Sequence, residues 1–260
     1  MEFVRTSAIA DLVSRSNEFA NASPFPHIYI DEFLDEATID ALHDEARAVL
    51  SNVDASNDIT QKKKTACTDW AQFGPVTYKV IAYLNSSEFI AALEGITGID
   101  GLFGDPWLEG GGIHLTARGG FLKMHTDFNW NAKLRADRRI NALLYLNRHW
   151  QKGWGGELEL ATETGTERTR IAPRFNRLVI FNTNDRTLHG HPDPLAFPDD
   201  YPRASIAMYY YTTGANVPER TRSRTTTTRY VPRKGGDISL SSGTLRSRLG
   251  YLLRRFTPFG

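Results

Sequence analysis

Between Ile113 and Thr213 the chain divides into seven short runs with strand character, and no other feature narrows its possible folds as far. The runs are Ile113 to Thr116, Phe121 to Phe128, Ile140 to Leu146, Glu157 to Leu160, Arg168 to Ile171, Leu178 to Phe181 and Ser205 to Thr213. Helical patterning is concentrated in the part that precedes them. Residues 5–20 set Ile9, Leu12 and Phe19 among polar neighbours before Pro24 and Pro26, and His27 to Ile30 alternates like an early strand. Asp35 can cap a helix carrying Ile39, Leu42, Ala46 and Leu50 at helical spacing. Two further helices use Val76, Val80, Ile81 and Leu84, then Phe89, Ile90, Leu93 and Ile96. Strands in a row after helices in a row predict an α+β fold. Its sheet is expected to form a double-stranded β-helix, or jelly roll, with the N-terminal helices packed on it. A chain of 260 residues buries one large core. One domain over 25–214 is therefore expected, between an N-terminal helical extension (1–24) and a basic C-terminal extension (215–260).

The second run carries the chemistry. In Gly119-Gly120-Phe121-Leu122-Lys123-Met124-His125-Thr126-Asp127-Phe128-Asn129, an extended backbone puts His125 and Asp127 on one face, where they can grip one ion. A third ligand must come from elsewhere. His189 lies 62 residues beyond Asp127, and a neighbouring strand can return it to the same point. Two imidazoles and one carboxylate on one face, with the other positions open, form the facial triad of non-haem Fe(II) sites. His191 shares a face with His189, so spacing does not choose between them. Arg203 follows His189 by 14 residues; its planar guanidinium suits a carboxylate bidentately and stays charged at any working pH. Ser205 shares its strand face. Asn129 shares a face with Asp127 if the strand continues, which makes it a candidate substrate or cosubstrate contact.

With these features in order, the chain resembles the Fe(II)/2-oxoglutarate-dependent oxygenases of the prolyl-hydroxylase type. The resemblance rests on Gly-x-x-Leu-x-x-His-x-Asp (Gly119 to Asp127), Leu-Tyr-Leu-Asn (Leu144 to Asn147), Gly-Gly-Glu-Leu (Gly155 to Leu158), the pair His189-Gly190, and Arg-x-Ser (Arg203 to Ser205), and it spans residues 25–213. It implies Fe(II) held by His125, Asp127 and His189, because in this branch the third ligand is the His followed by Gly. It also implies 2-oxoglutarate as cosubstrate, its distal carboxylate held by Arg203 and Ser205, with O2 as the second cosubstrate. The implied reaction hydroxylates an unactivated C–H bond while 2-oxoglutarate is decarboxylated to succinate. Related halogenases carry a small residue where this chain has Asp127, so hydroxylation is the expected outcome. Relatives often have a Tyr nine residues before the first metal His, where its hydroxyl helps bind 2-oxoglutarate. Here that position is Thr116, and Thr116, His114 or another group takes the role.

The expected substrate is a small molecule or amino-acid derivative, with a prolyl hydroxylase acting on a protein or peptide as the alternative. A reading of another class, a non-catalytic metal- or sugar-binding jelly roll with a basic tether, accounts for the three metal residues but not for Arg203 and Ser205. Phe128, Trp130 and Tyr209 to Tyr211 are candidate wall residues, at least half of them expected to be plain core. Lys133, Arg135, Arg138 and Arg139 read as a solvated loop, His43 as exposed on its helix, and His149 as a loop residue. Residues 51–66, with Lys62-Lys63-Lys64, show no apolar period and read as a mobile loop able to close over substrate.

Cys67 is the single cysteine, which excludes an intrachain disulfide. The N-terminus lacks the continuous apolar region of a signal peptide, and no stretch approaches a membrane span, so a cytoplasmic setting is expected. The net charge of +1 hides an asymmetry: from Glu219 onward nine Arg and one Lys face Glu219 and Asp237, a net of +8, which leaves residues 1–218 at −7. Within that tail, 244–256 has the pattern of a basic amphipathic helix, with Leu245, Leu249, Leu252, Leu253 and Phe256 on one stripe and Gly250 weakening it. Docking on the acidic body is expected, with a partner protein or an anionic membrane surface as alternatives. No nucleic-acid partner is expected.

Overall fold

The computed structural model describes residues 3–50, 57–58, 60–214 and 224–231. Among these the helices are α1 (Thr6–Ser14), α2 (Ser16–Ala20), α3 (Glu36–Leu50), α4 (Pro75–Leu84) and α5 (Ser87–Thr97). The early strands are β1 (His27–Ile30), β2 (Gln61–Cys67), β3 (Phe103–Gly104), β4 (Gly112–Thr126), β5 (Trp130–Asn131) and β6 (Ala136–Tyr145). The later ones are β7 (Leu158–Thr162), β8 (Arg168–Ile171), β9 (Leu178–Asn182), β10 (Thr187–His191), β11 (Arg203–Thr212) and β12 (Arg229–Tyr230).

Local chemistry sets the helix boundaries. Asp35 caps α3, accepting the Thr38 backbone N–H at 2.9 Å and the Thr38 hydroxyl at 2.7 Å. The Ser86 hydroxyl caps α5 through the Phe89 N–H, and Gly98 ends that helix in the left-handed conformation. The helix expected over 5–20 divides at Arg15, whose guanidinium pairs with both Asp11 and Glu18. The break lets Leu12 and Phe19 both reach the core, where each is 1% exposed.

The strands pair antiparallel in the order β1-β9-β6-β11-β4-β10-β7-β8, with β2 and β12 added to β4, β3 to β11 and β5 to β6. This sheet curls into the jelly-roll core. β4 is its hub: the first half lies between β11 and β2, and the second half pairs with β10 and β12. The strand turns between these halves at Gly119, with φ +74°, and a Cβ on Gly120 would stand 2.6 Å from the Lys62 carbonyl. Only glycine fits that bend.

Strand alternation separates structure from chemistry. On β6, Ile140, Ala142 and Leu144 face the helices, and on β11, Ala204, Ile206, Met208 and Tyr210 do the same. They join Leu12, Phe19, Ile39, Leu42, Ile81, Phe89 and Leu93 in one core. The intervening residues of the same strands, Asn141 and Leu143, then Arg203, Ser205 and Tyr209, line a cavity inside the roll.

Three expectations are corrected. Residues 61–67 form β2 rather than a loop, because the edge of β4 satisfies the backbone of a segment with no apolar period. Arg138 and Arg139 are buried on β6 at 3% and 9% exposure, since Asp127, Asn141 and Thr212 lie beside their guanidinium groups. His43 is buried as well, its Nδ1–H meeting the Leu146 carbonyl at 2.8 Å. No helix among the described residues is long and apolar enough to cross a membrane. Segment 244–256 lies outside the described residues.

Candidate functional site

β10 lies against β4 with His189 directly opposite His125. Close approach makes this register possible: a Cβ on Gly190 would stand 2.8 Å from the Leu122 carbonyl oxygen and 2.9 Å from that of Lys123. The His-Gly pair is thus one unit, a ligand candidate and the space that seats it. Asp127 follows the last residue of β4. His125 Nε2 lies 3.5 Å from Asp127 Oδ1, and His189 Nε2 lies 3.4 Å from Asp127 Oδ2. One potential ligand atom from each of the three residues falls within 4.8 Å of the others.

The donor set fits a divalent transition metal. The Lys123 carbonyl, 2.8 Å from His125 Nδ1, can only accept, so Nδ1 carries the proton and Nε2 keeps its lone pair toward Asp127. Burial, against the opposing pull of Asp127, brings the His189 pKa down to about 3 and keeps that imidazole neutral, as a metal ligand must be. Burial also works against ionisation of Asp127, but the Arg138 guanidinium beside it holds its carboxyl well below the usual range. Arg138 Nη2 and Asn141 Nδ2 both approach Asp127 Oδ2 at 2.9 Å. Arg138 is itself held at 3.3 Å over the Tyr209 ring and 4.7 Å over Phe128.

The same cavity, of about 230 Å³, continues away from the triad to a second polar group. Arg203, Ser205, Thr116, His114, His191 and Lys64 line it there, and Leu122, Leu143 and Leu158 supply apolar wall. Arg203 is 6% exposed. It gives Nε–H to the Gly156 carbonyl at 2.8 Å and Nη2–H to the Tyr145 hydroxyl at 3.2 Å. These contacts aim a guanidinium that would otherwise be a flexible charge.

The structure therefore brings together His125, Asp127, His189, Arg203, Ser205 and Thr116 in one cavity. It does not bring Asn129 there. β4 ends at Thr126, so the alternation that would carry Asn129 onto the face of Asp127 is lost, and its side-chain oxygen instead accepts the Thr225 N–H at 2.7 Å. His191 lines the wall, while the compact cluster contains His189. Phe128 and Tyr209 line the cavity; Tyr210 is core, and Trp130 packs under the Arg224 guanidinium at 3.7 Å.

Sequence reasoning missed Lys64, Arg138 and Asn141, and gave Tyr145 no role although it sits inside the Leu-Tyr-Leu-Asn motif. That motif was the one signal available for Tyr145. It also missed the contribution of 224–231. β12 pairs with the end of β4, Tyr230 stands opposite His125 with ring centroids 5.3 Å apart, and Thr228 and Tyr230 complete the wall.

Residues 111–211 match the family model of the 2OG-Fe(II) oxygenase superfamily. Solved structures share the fold. A Pseudomonas putida prolyl-4-hydroxylase is 19% identical with a TM-score of 0.54, over 78% of this chain and 100% of that one. A Trichoplax adhaerens prolyl hydroxylase, in complex with a hypoxia inducible factor oxygen degradation domain peptide fragment, is 19% identical with a TM-score of 0.56, over 80% and 93%. HygX from Streptomyces hygroscopicus, with nickel, 2-oxoglutarate and hygromycin B bound, is 12% identical with a TM-score of 0.50, over 72% and 83%. No curated protein sequence matches this chain.

Proposed function

We propose, on the match of residues 111–211 to the family model of the 2OG-Fe(II) oxygenase superfamily, that this chain is a dioxygenase hydroxylating an unactivated C–H bond of a small molecule or amino-acid derivative. The observation that carries the reading is one cavity lined by both the buried His125, Asp127 and His189 cluster and the buried Arg203. A metal site alone accounts for the first group; a carboxylate-bearing cosubstrate accounts for the second as well. In this reading His125, Asp127 and His189 hold Fe(II), and Arg203 with Ser205 and Thr116 holds the distal carboxylate of 2-oxoglutarate. Bound Fe(II), 2-oxoglutarate and O2 together supply the oxidising power for C–H hydroxylation, with succinate and CO2 as coproducts.

The chain's own residues do the positioning. The Lys123 carbonyl fixes the His125 tautomer, and Arg138 with Asn141 keeps Asp127 ionised and oriented. Gly156 and Tyr145 set the Arg203 fork. Leu122, Leu143, Leu158 and Phe128 give the space between an apolar wall. The cavity's volume of about 230 Å³, with Thr228 and Tyr230 in its wall, supports a small substrate. A peptide substrate is the second reading, supported by the peptide-bound neighbour of the same fold.

The test has two arms. Without O2, Fe(II) and 2-oxoglutarate added to the protein should produce a visible metal-to-ligand charge-transfer band; once O2 is admitted, a panel of amino acids, small metabolites and proline peptides should include one that stimulates succinate release. Iron binding without a band would support a non-catalytic metal protein instead. Stimulation by peptides alone would move the substrate to the second reading.

A further inference from the structure

Two of the five N–H donors of Arg203 already go to the Gly156 carbonyl and the Tyr145 hydroxyl, which leaves three for a carboxylate that can accept about four hydrogen bonds. A dicarboxylate held there calls for another donor, and Thr116 has one short hydroxyl. His114, the neighbouring candidate, is committed through Nε2–H to the Gly111 carbonyl at 3.1 Å. The sheet register identifies a third group. Thr116 on β4 stands directly opposite Arg203 on β11 and, on its other side, directly opposite Lys64 on β2. Residues directly opposite in a sheet share a face, so Lys64, Thr116 and Arg203 form one row across three strands, and all three line the cavity.

We propose that Lys64 is the second cationic anchor for the distal carboxylate of 2-oxoglutarate, clasping it against Arg203 from the opposite side of Thr116. The assignment rests on the oxygenase reading above and adds to it a residue from outside the matched region 111–211. Charge supports it. Lys64 and Arg203 are two cations that line one cavity on either side of Thr116, and Asp127, the only carboxylate among the described residues of that lining, has Arg138 2.9 Å from it. Burial, with the repulsion of Arg203 and Arg138 and against the pull of Asp127, brings the Lys64 pKa down to about 8. A carboxylate between the two cations relieves that repulsion.

The test compares two ligands on the full chain loaded with Fe(II) without O2: 2-oxoglutarate, and 2-oxovalerate, which keeps the 2-oxo acid end but replaces the distal carboxylate with a methyl group. Both are titrated at the charge-transfer band, with iron content and circular dichroism checked for each variant. K64M should weaken 2-oxoglutarate by about tenfold or more and leave 2-oxovalerate within about twofold, K64R should recover most of the loss, and R203K serves as the positive control. Unchanged 2-oxoglutarate binding in K64M, with R203K impaired, overturns the assignment and leaves the oxygenase reading intact. Equal loss of both ligands also overturns it, because the effect would then lie at the metal end. A parent protein that binds neither ligand overturns the oxygenase reading and this inference together.

Discussion

At the scale of single residues, the site depends on side chains that fix one another. Asp127 stays charged because Arg138 is beside it, and Arg138 tolerates burial because Asp127, Asn141 and the Tyr209 face receive it. The two histidines of β10 separate by the same logic. His189 presents Nε2 to Asp127 at 3.4 Å, whereas His191 lies outside the compact three-residue group. We therefore expect H189A to lose most of its iron and H191A to keep most of it, measured as metal content after anaerobic reconstitution. The opposite pattern would transfer the third-ligand role to His191.

At the scale of elements, β4 organises the molecule, since partners on both of its sides deliver the groups that meet in the cavity. Its own two halves were legible as separate runs, Ile113 to Thr116 and Phe121 to Phe128, but the bend at Gly119 that joins them was not. β8 and the range of β9 were legible as short runs rich in β-branched residues, the second apolar throughout and buried from Leu178 to Phe181. β2 was not, because its pairing is written in the backbone and only Thr65 and Cys67 are buried along it. The close approach of β10 to β4 yields the next prediction. In G190A the new methyl meets the Leu122 and Lys123 carbonyl oxygens, so β10 must move away from β4 and carry His189 with it. A cost of about 1–3 kcal/mol in urea unfolding is expected, together with reduced iron occupancy. Parent-like stability and full occupancy would show that β10 is looser than its register implies.

At the scale of the whole molecule, burial of titratable groups makes stability depend on pH. Desolvation holds the His43 and His114 pKa values below their ordinary 6.5, so both are neutral in the folded protein. In the unfolded chain they take up protons as the pH falls through about 6.5, and the unfolded state then binds more protons than the folded one. Stability is therefore complete above that value and lost progressively below it. The melting temperature of the metal-free protein should fall steadily from about pH 7 toward pH 5, with a smaller slope in H43Q. A flat profile across that window would mean that neither histidine is held neutral by its surroundings.

The sequence by itself determined the order of most helices and strands, the jelly-roll class and the motif residues His125, Asp127, His189, Arg203 and Ser205, because these are encoded locally: by period, by turn residues and by short motifs whose spacing survives any loop between them. Tertiary structure alone decided what stands around them. Lys64 comes to Thr116 through pairing of β2 with β4, Arg138 comes to Asp127 across the turn that β5 closes, and Tyr230 arrives from 105 residues beyond His125. A local pattern also misplaced Asn129, whose expected face required a strand that ends at Thr126. The physical reason is common to all four: which side chains share a cavity is set by sheet register and by where strands stop, and register follows from the summed pairing and burial of whole elements rather than from any one segment.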